Sequence, residues 1–397
     1  MPDLHRRPAF PDRRAGSVRF HDRLRPGLVL LAFAGLGACA PQGTATPAAT
    51  PGLEAAEFAA LSNRLSEPGG YFPSDNLVSN ETSYLHVLPA LRARGVAGGA
   101  YIGVGPDQSF SYIAEIRPEI VFMIDIRRDN LLHHLLFKAL FENARNRIEY
   151  LCLLFGKPVP RNLQRWDDAD VEALVAWVDS VQASNRLFED AADGIAASVR
   201  AYGLRLSDDD LATIRGIHRA FFYDGLDIRY SNRGRFSWFP SYRQLLLETD
   251  VADVQRNYLA SEDRFRFLKG LEARNLVVPV VGDLAGPHAL AAIGREIADR
   301  GLRVSAFYTS NVEQYLMQGY TFDAFAETVA GLPFDETSVI IRSYFNRGWL
   351  HPATVYGHRS VQLIDPFEAF VADFRRGGLR SYFDVVGRNT IPLGRTG

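Results

Sequence analysis

From about residue 99 onward, short apolar runs alternate with amphipathic stretches. Residues 100–105 (AYIGVG) and 120–126 (IVFMIDI) are nearly unbroken apolar runs. That is the form of strands buried on both faces of a parallel sheet. Residues 106–117 between them are long enough for a short crossover helix, which completes a βαβ unit. Three later runs, residues 276–283 (LVVPVVGD), 304–310 (VSAFYTS) and 338–345 (SVIIRSYF), predict three more strands, and residues 379–386 predict a sixth. The spacers at 288–300, 322–329 and 367–374 repeat apolar residues at helical spacing, the first through Leu290, Ile293 and Ile297 up to Gly301. Such alternation predicts an α/β fold with an open, doubly wound, mostly parallel sheet.

Residues 130–270 break this rhythm. LLHHLLFKALFENA, DVEALVAWVDSVQASNRLF and DDDLATIRGIHRAFF all carry helical apolar spacing, with few β-branched runs. They predict a helical insertion after the second strand, with an irregular aromatic loop at 230–242. The α/β body is then divided into residues 53–129 and 271–397. No internal repeat of 20 to 50 residues is visible.

Composition changes the picture only at the front. The 397-residue chain has a formal net charge of −2, 47% hydrophobic, 12% aromatic and 23% charged residues. This is an ordinary globular profile with no electrostatic reason to expect nucleic acid. Two cysteines, Cys39 and Cys152, exclude a disulfide scaffold and a Cys-rich zinc module. Residues 1–25, however, hold seven arginines against three aspartates, and an uncharged run follows from Gly27 to Ala38. As a helix those twelve residues rise about 18 Å, short of the roughly 30 Å hydrocarbon core. A basic region, a short apolar region and small residues before a cysteine read as a secretory signal.

Leu36-Gly37-Ala38-Cys39 resembles the lipobox of bacterial lipoproteins. The resemblance implies cleavage after residue 38, acylation of Cys39, and a Pro/Thr/Ala tether over residues 39–52. It places the protein in the cell envelope, lipid-anchored, at the outer membrane facing the periplasm. A misread signal would leave it in the cytoplasm. The membrane is then a partner through the anchor, and Cys152 a buried structural thiol.

The chemistry of the body gathers at predicted strand ends. Gly103-Val104-Gly105-Pro106-Asp107 follows the first strand, where glycines let the backbone approach a ligand and the next helix offers N–H groups. The dinucleotide fingerprint needs glycine at 108, where Gln108 stands, so a nicotinamide cofactor is disfavoured. Asp125 lies 20 residues after Gly105 at the second strand's tip, where a carboxylate can accept from ribose hydroxyls or cap the next helix. The third strand ends in Gly282-Asp283, and the fourth in Tyr308-Thr309-Ser310-Asn311-Val312-Glu313.

In this order the motifs resemble class I S-adenosylmethionine-dependent methyltransferases, over roughly residues 84–125 and 275–345. With the Ser79-Asn80-Glu81 segment, the pattern also looks like a group of bacterial lipoproteins with methyltransferase-like folds. The resemblance implies S-adenosylmethionine as a nucleoside-like ligand. Gly103 and Gly105 would approach its methionine and ribose, with Asp107 nearby; Asp125 would hold the ribose and Asp283 the adenine amine. Ser310 and Asn311 would border the transferred methyl group. The chain departs from the pattern at Ala100-Tyr101, where an acid usually begins the first motif. It departs again at Pro106-Asp107 and at Asn311-Val312-Glu313, which is not the proline-containing motif of amino methyltransferases.

Methyl transfer chiefly requires alignment, because the sulfonium is already activated. A base is optional, and Glu81, Glu313 and Tyr308 are candidates beside Asn311, with capping or packing as the plainer role of each. Arg233 and Arg235 in the aromatic loop could bind an anion. No metal is assigned: His133 and His134 are adjacent and point to different helix faces, and His351 and His358 merely flank a Pro/Gly loop. The chain carries no GxSxG elbow and no P-loop lysine. Two readings stand, a methyltransferase or its nucleoside-binding descendant, and a non-catalytic envelope lipoprotein using the same scaffold for another ligand or a protein. Export favours the second, since S-adenosylmethionine is made in the cytosol.

Overall fold

A computed structural model of the protein describes residues 50–231, 239–346 and 348–393. The leader, Cys39, Arg233 and Arg235 lie outside the described residues. Six strands form one mixed sheet: β1 (Ala100–Gly103), β2 (Ile120–Asp125), β3 (Val277–Val281), β4 (Val304–Ser310), β5 (Val339–Phe345) and β6 (Ser360–Pro366). Their spatial order is β3-β2-β1-β4-β5-β6, parallel throughout except for the antiparallel pairing of β6 with β5. Five of the six predicted strands stand where the apolar runs place them.

The sixth does not. Residues 379–386 contain a helix, α15 (Tyr382–Gly387), because the Ser381 hydroxyl accepts from Asp384 N–H and caps it. The true sixth strand, SVQLIDP, was hidden by Gln362 and Asp365, which interrupt its apolar run. Both are buried against polar partners: Ser343 donates to Gln362 at 2.9 Å, and Asp365 pairs with Arg342.

Helices stand on the predicted spacers at 106–117, 288–300, 322–329 and 367–374 and across the predicted helical block, while those before β1 and the first after β4 fall where no helix is predicted. Before β1 come α1 (Ala55–Leu65) and α2 (Leu88–Ala93), and α3 (Gln108–Ile116) makes the first crossover. Between β2 and β3 lie α4 (Arg128–Asn143), α5 (Arg147–Phe155), α6 (Val171–Ser180), α7 (Asn185–Ala201), α8 (Asp208–Asp224), α9 (Tyr242–Leu246) and α10 (Glu262–Ala273). Helix α11 (Ala289–Asp299) follows β3, α12 (Val312–Gln318) and α13 (Phe322–Ala330) follow β4, and α14 (Phe367–Arg375) follows β6. Among the described residues no helix is long and apolar enough to cross a membrane.

The helical segment is not walled off from the sheet. Every residue of α4 from Asn130 to Phe141 is buried, the signature of a helix covered on all sides. It lies between β2, β3 and the helices α7, α8 and α10, so one apolar core runs from the sheet into the helical segment. The edge strand β3 tolerates Pro279 because an edge needs no second ladder. Its free polar groups are met locally: Ser62 donates to Pro279 O at 2.6 Å, Val281 N donates to Ser66 Oγ at 3.0 Å, and Glu67 N donates to Val281 O at 2.9 Å. On the other edge Ile391 N donates to Ile364 O of β6 at 2.8 Å.

Between α4 and α10 the core holds a buried acid. Glu272 has neither carboxylate oxygen hydrogen-bonded, and burial pushes its pKa up to about 8, against the attraction of Lys138. Lys138 itself bonds Glu142 at 2.7 Å and the Glu272 carbonyl. A raised folded pKa means the native state holds a proton that the unfolded chain has released. The associated stability is complete below about pH 4.5 and is lost as pH rises through about 8. Glu272→Gln should therefore gain stability over the wild type progressively across that window in urea unfolding. A difference that stays constant with pH would contradict the buried, protonated carboxyl.

Candidate functional site

The strand order reverses between β1 and β4, and there the loops leaving neighbouring strands diverge. Open α/β sheets bind ligands in the crevice this creates, outside the carboxyl ends of the strands. In this protein a cleft of about 220 Å³ lies at that place, lined from β1 by Val104, Gly105 and Gln108, from β2 by Asp125 and Arg127, from β3 by Gly282 and Asp283, and from β4 by Ser310 and Asn311. The segment before β1 closes one wall with Tyr71, Phe72, Asn76, Asn80 and Glu81. Tyr230 and Tyr315 add aromatic faces.

Backbone geometry explains several of these positions. Gly105 has φ +79°, which an L side chain adopts only with strain, and its carbonyl accepts from Asn130 Nδ2 at 3.1 Å and His134 Nε2 at 2.9 Å. Burial drives the His134 pKa down to about 4, so a neutral ring donates that bond. Gly103 serves packing instead: a Cβ there would come within 2.6 Å of the Tyr101 ring, and the residue does not line the cleft. Ser310 sits in the left-handed region at φ +52°, where the β4–β5 register shifts. The bulge turns its hydroxyl toward Glu81.

The Asp125 carboxylate is already engaged. Arg127 Nε donates to Oδ1 at 3.1 Å and Nη2 to Oδ2 at 3.0 Å, while Arg127 Nη1 donates to the carbonyls of Ser74 and Asp75 at 3.0 and 2.9 Å. This bidentate pair clamps the pre-β1 segment to the end of β2 and neutralises the predicted ribose acid. Asp283 caps its own loop by accepting from Ala285 N at 2.9 Å. Glu67 holds the start of α11, accepting from Asp283 N at 2.9 Å and His288 N at 3.1 Å.

Glu81 forms the polar floor. Its Oε2 accepts from Tyr308 OH at 2.6 Å and Gln362 Nε2 at 3.3 Å, and its Oε1 accepts from Ser310 Oγ at 2.5 Å. Gln108 Nε2 donates to Tyr308 OH at 2.7 Å, extending the chain back to the β1 turn. The Tyr308 hydroxyl is buried beside this carboxylate, and desolvation holds its pKa far above the ordinary phenol value.

Two predicted site residues face elsewhere. Asp107 turns into the helical segment, where Tyr242 and Tyr258 donate to Oδ2 at 2.6 and 3.1 Å and burial raises its pKa to about 6. The proline before it starts the turn that carries its side chain out of the cleft. Glu313 lies fully buried on α12, accepting from Arg342 Nε at 2.6 Å, and Asp365 completes the triad from the other side of the guanidinium. It is an ion-pair partner out of reach of a cleft ligand. Burial raises the Asp365 pKa to about 7.

The sequence gives no site role to Arg127, Gln108, Asn76 or Asn80, although Gln108 and Asn80 stand in segments it singles out. Arg127, two residues after the strand-end acid, was the one with a readable signal. The asparagines come from a segment whose path over the sheet no local pattern announces.

The buried triad predicts a mutational effect. Arg342→Met removes the cation between Glu313 and Asp365 and should cost roughly 3–5 kcal/mol in urea unfolding near neutral pH. A loss below about 1 kcal/mol would show the triad to be solvated, as surface pairs are.

A family model described as Domain of unknown function (DUF7790) matches residues 76–383. No curated protein matches the chain.

Proposed function

The chain belongs to the DUF7790 family, and on the cleft just described we propose that it binds a small nucleoside-like ligand of the S-adenosylmethionine type. The observation that carries this reading is the convergence of Gly105, Asp125, Asp283, Ser310 and Asn311, from four strand ends, on one cleft at the strand-order reversal. The order 3-2-1-4-5-6 is that of doubly wound nucleotide-binding sheets, here with an antiparallel edge strand. In this reading the fold is methyltransferase-like. Tyr71, Phe72, Tyr230 and Tyr315 supply faces on which a base can stack, Asp283 faces the adenine amine, and Asn76 and Asn80 replace Asp125 as partners for ribose hydroxyls.

Methyl transfer is the activity such a site would support, with Ser310 and Asn311 bordering the methyl group and the Glu81–Tyr308 pair as the polar groups beneath it. A second reading, binding without catalysis, rests on the Arg127 clamp over Asp125, which occupies the carboxylate a cofactor ribose would use. In both readings the protein is exported and held to the envelope membrane through an acylated Cys39, with residues 40–52 as tether.

The decisive experiment is calorimetric titration of the purified chain with S-adenosylmethionine, S-adenosylhomocysteine and NAD. Binding of either adenosyl ligand, and not NAD, is expected, with about 2.7 kcal/mol of added stability at 100 times the dissociation constant. No binding at millimolar concentration refutes the nucleoside reading. Since Asp125 is clamped by Arg127, Asp125→Ala should weaken binding chiefly by releasing that clamp, so Arg127→Ala should weaken it comparably. A large loss confined to Asp125→Ala would point instead to a direct ribose contact.

The anchor has its own check. Cys39→Ser should abolish incorporation of a fatty-acid probe and release the protein from the membrane fraction. Continued labelling would refute the lipobox.

A further inference from the structure

A second site lies away from the cleft, where three distant parts of the chain meet. His86 follows the segment that carries Glu81, Glu248 follows α9, and His358 lies in the loop between β5 and β6. One ligand atom from each lies within 4.8 Å of the other two. The imidazole rings of His86 and His358 stand 4.6 Å apart at 73°, and His358 Nε2 is 4.0 Å from Glu248 Oε1. His86 is buried, while Glu248 and His358 are half-buried, so the group is shielded yet reachable from solvent.

The arrangement has the outer partner that a metal-binding histidine requires. His358 Nδ1 is 2.9 Å from Thr82 Oγ1. With the proton on Nδ1 donated to that hydroxyl, Nε2 is left as a lone-pair donor aimed at Glu248, the tautomer a metal needs. Ser83 Oγ bonds Ser360 Oγ at 2.9 Å, so the two segments that bring in the histidines are already tied together near the site. Ligand atoms about 2.0–2.2 Å from a tetrahedral zinc ion lie a little over 3 Å apart. Closing this group around an ion therefore takes side-chain movement of about 1 Å. A half-buried carboxylate between two imidazoles gains the cation that burial otherwise denies it.

We propose that His86, Glu248 and His358 bind a divalent transition-metal ion of the zinc class, with Thr82 orienting His358. Two imidazoles and one carboxylate leave a fourth position open to water. The ion would staple the pre-β1 segment, the end of the helical segment and the β5–β6 loop, parts joined by no covalent link nearby. Its first consequence is thus stability, because binding to the folded chain is folding free energy.

The test uses the full chain, stripped of metal by a chelator and titrated with Co²⁺ and then Zn²⁺. One Co²⁺ per chain should bind with the visible absorption of a tetrahedral site, one Zn²⁺ should displace it, and Zn²⁺ should raise the thermal midpoint. His358→Asn and Glu248→Gln, both at half-buried positions, should each lose the tetrahedral band while unfolding at the metal-free wild-type midpoint. Thr82→Val should keep the band and weaken affinity by about 10–100-fold. A wild-type chain that binds no Co²⁺, or binds it only with the weak spectrum of an octahedral aquo ion, overturns the proposal. So does tetrahedral binding that persists unchanged in both ligand variants.

Discussion

The Glu81 carboxylate is buried at the carboxyl edge of the sheet, where burial costs least if donors meet both of its oxygens. Three donors satisfy it: Tyr308 and Ser310 at the end of β4, and Gln362 on β6. Meeting that requirement fixes much else. It draws the segment before β1 across the strand ends, turns Ser310 into the left-handed region, and closes one wall of the cleft. The same segment then delivers Thr82, Ser83 and His86 to the β5–β6 side of the molecule. The cleft at the strand ends and the proposed metal site are thus two ends of one anchored stretch of chain.

Other buried charges act in the same way at other seams. Arg342 of β5 joins Glu313 of α12 to Asp365 of β6, and stacks its guanidinium 5.1 Å from the Phe370 ring of α14. Asp107 ties the turn after β1 to Tyr242 and Tyr258 of the helical segment. Arg147 reaches the carbonyls of Leu259 and Ala169 from α5. None of these is a cheap way to gain stability, since a matched apolar group would often do as well. Their common property is that each joins elements far apart in sequence by a contact that admits few alternatives. For a fold whose apolar core runs without a break from sheet to helices, such contacts set which surfaces meet.

Legibility followed burial chemistry. Strands β1 to β3 are almost wholly apolar, and β4 and β5 each hold an apolar triplet, Ala306-Phe307-Tyr308 and Val339-Ile340-Ile341, so their residues announce them, and most helices between them follow from spacing. Strand β6 was missed because Gln362 and Asp365 are polar residues inside the core, unreadable as such until Ser343, Tyr112 and Arg342 are in place. Residues 379–386 resemble a strand for the opposite reason, being an apolar-rich run that Ser381 caps into a helix. At the cleft, Gly105, Asp125, Asp283, Ser310 and Asn311 were legible because strand ends converge by topology. Asp107 and Glu313 were equally plausible in sequence, yet the direction of a side chain leaving a turn depends on what packs behind it.

By itself the sequence determined the class of fold, five strands with their crossovers, and the loops that meet at the strand-order reversal. Those follow from local periodicity and from the handedness of parallel connections, which act over short stretches of chain. Only the tertiary structure decided which acids line the cleft and which turn to a buried arginine or tyrosine. It also brought together His86, Glu248 and His358, which no spacing rule relates. Ionisable side chains are governed by the partners that burial leaves them, and those partners come from parts of the chain whose proximity only the packed core establishes.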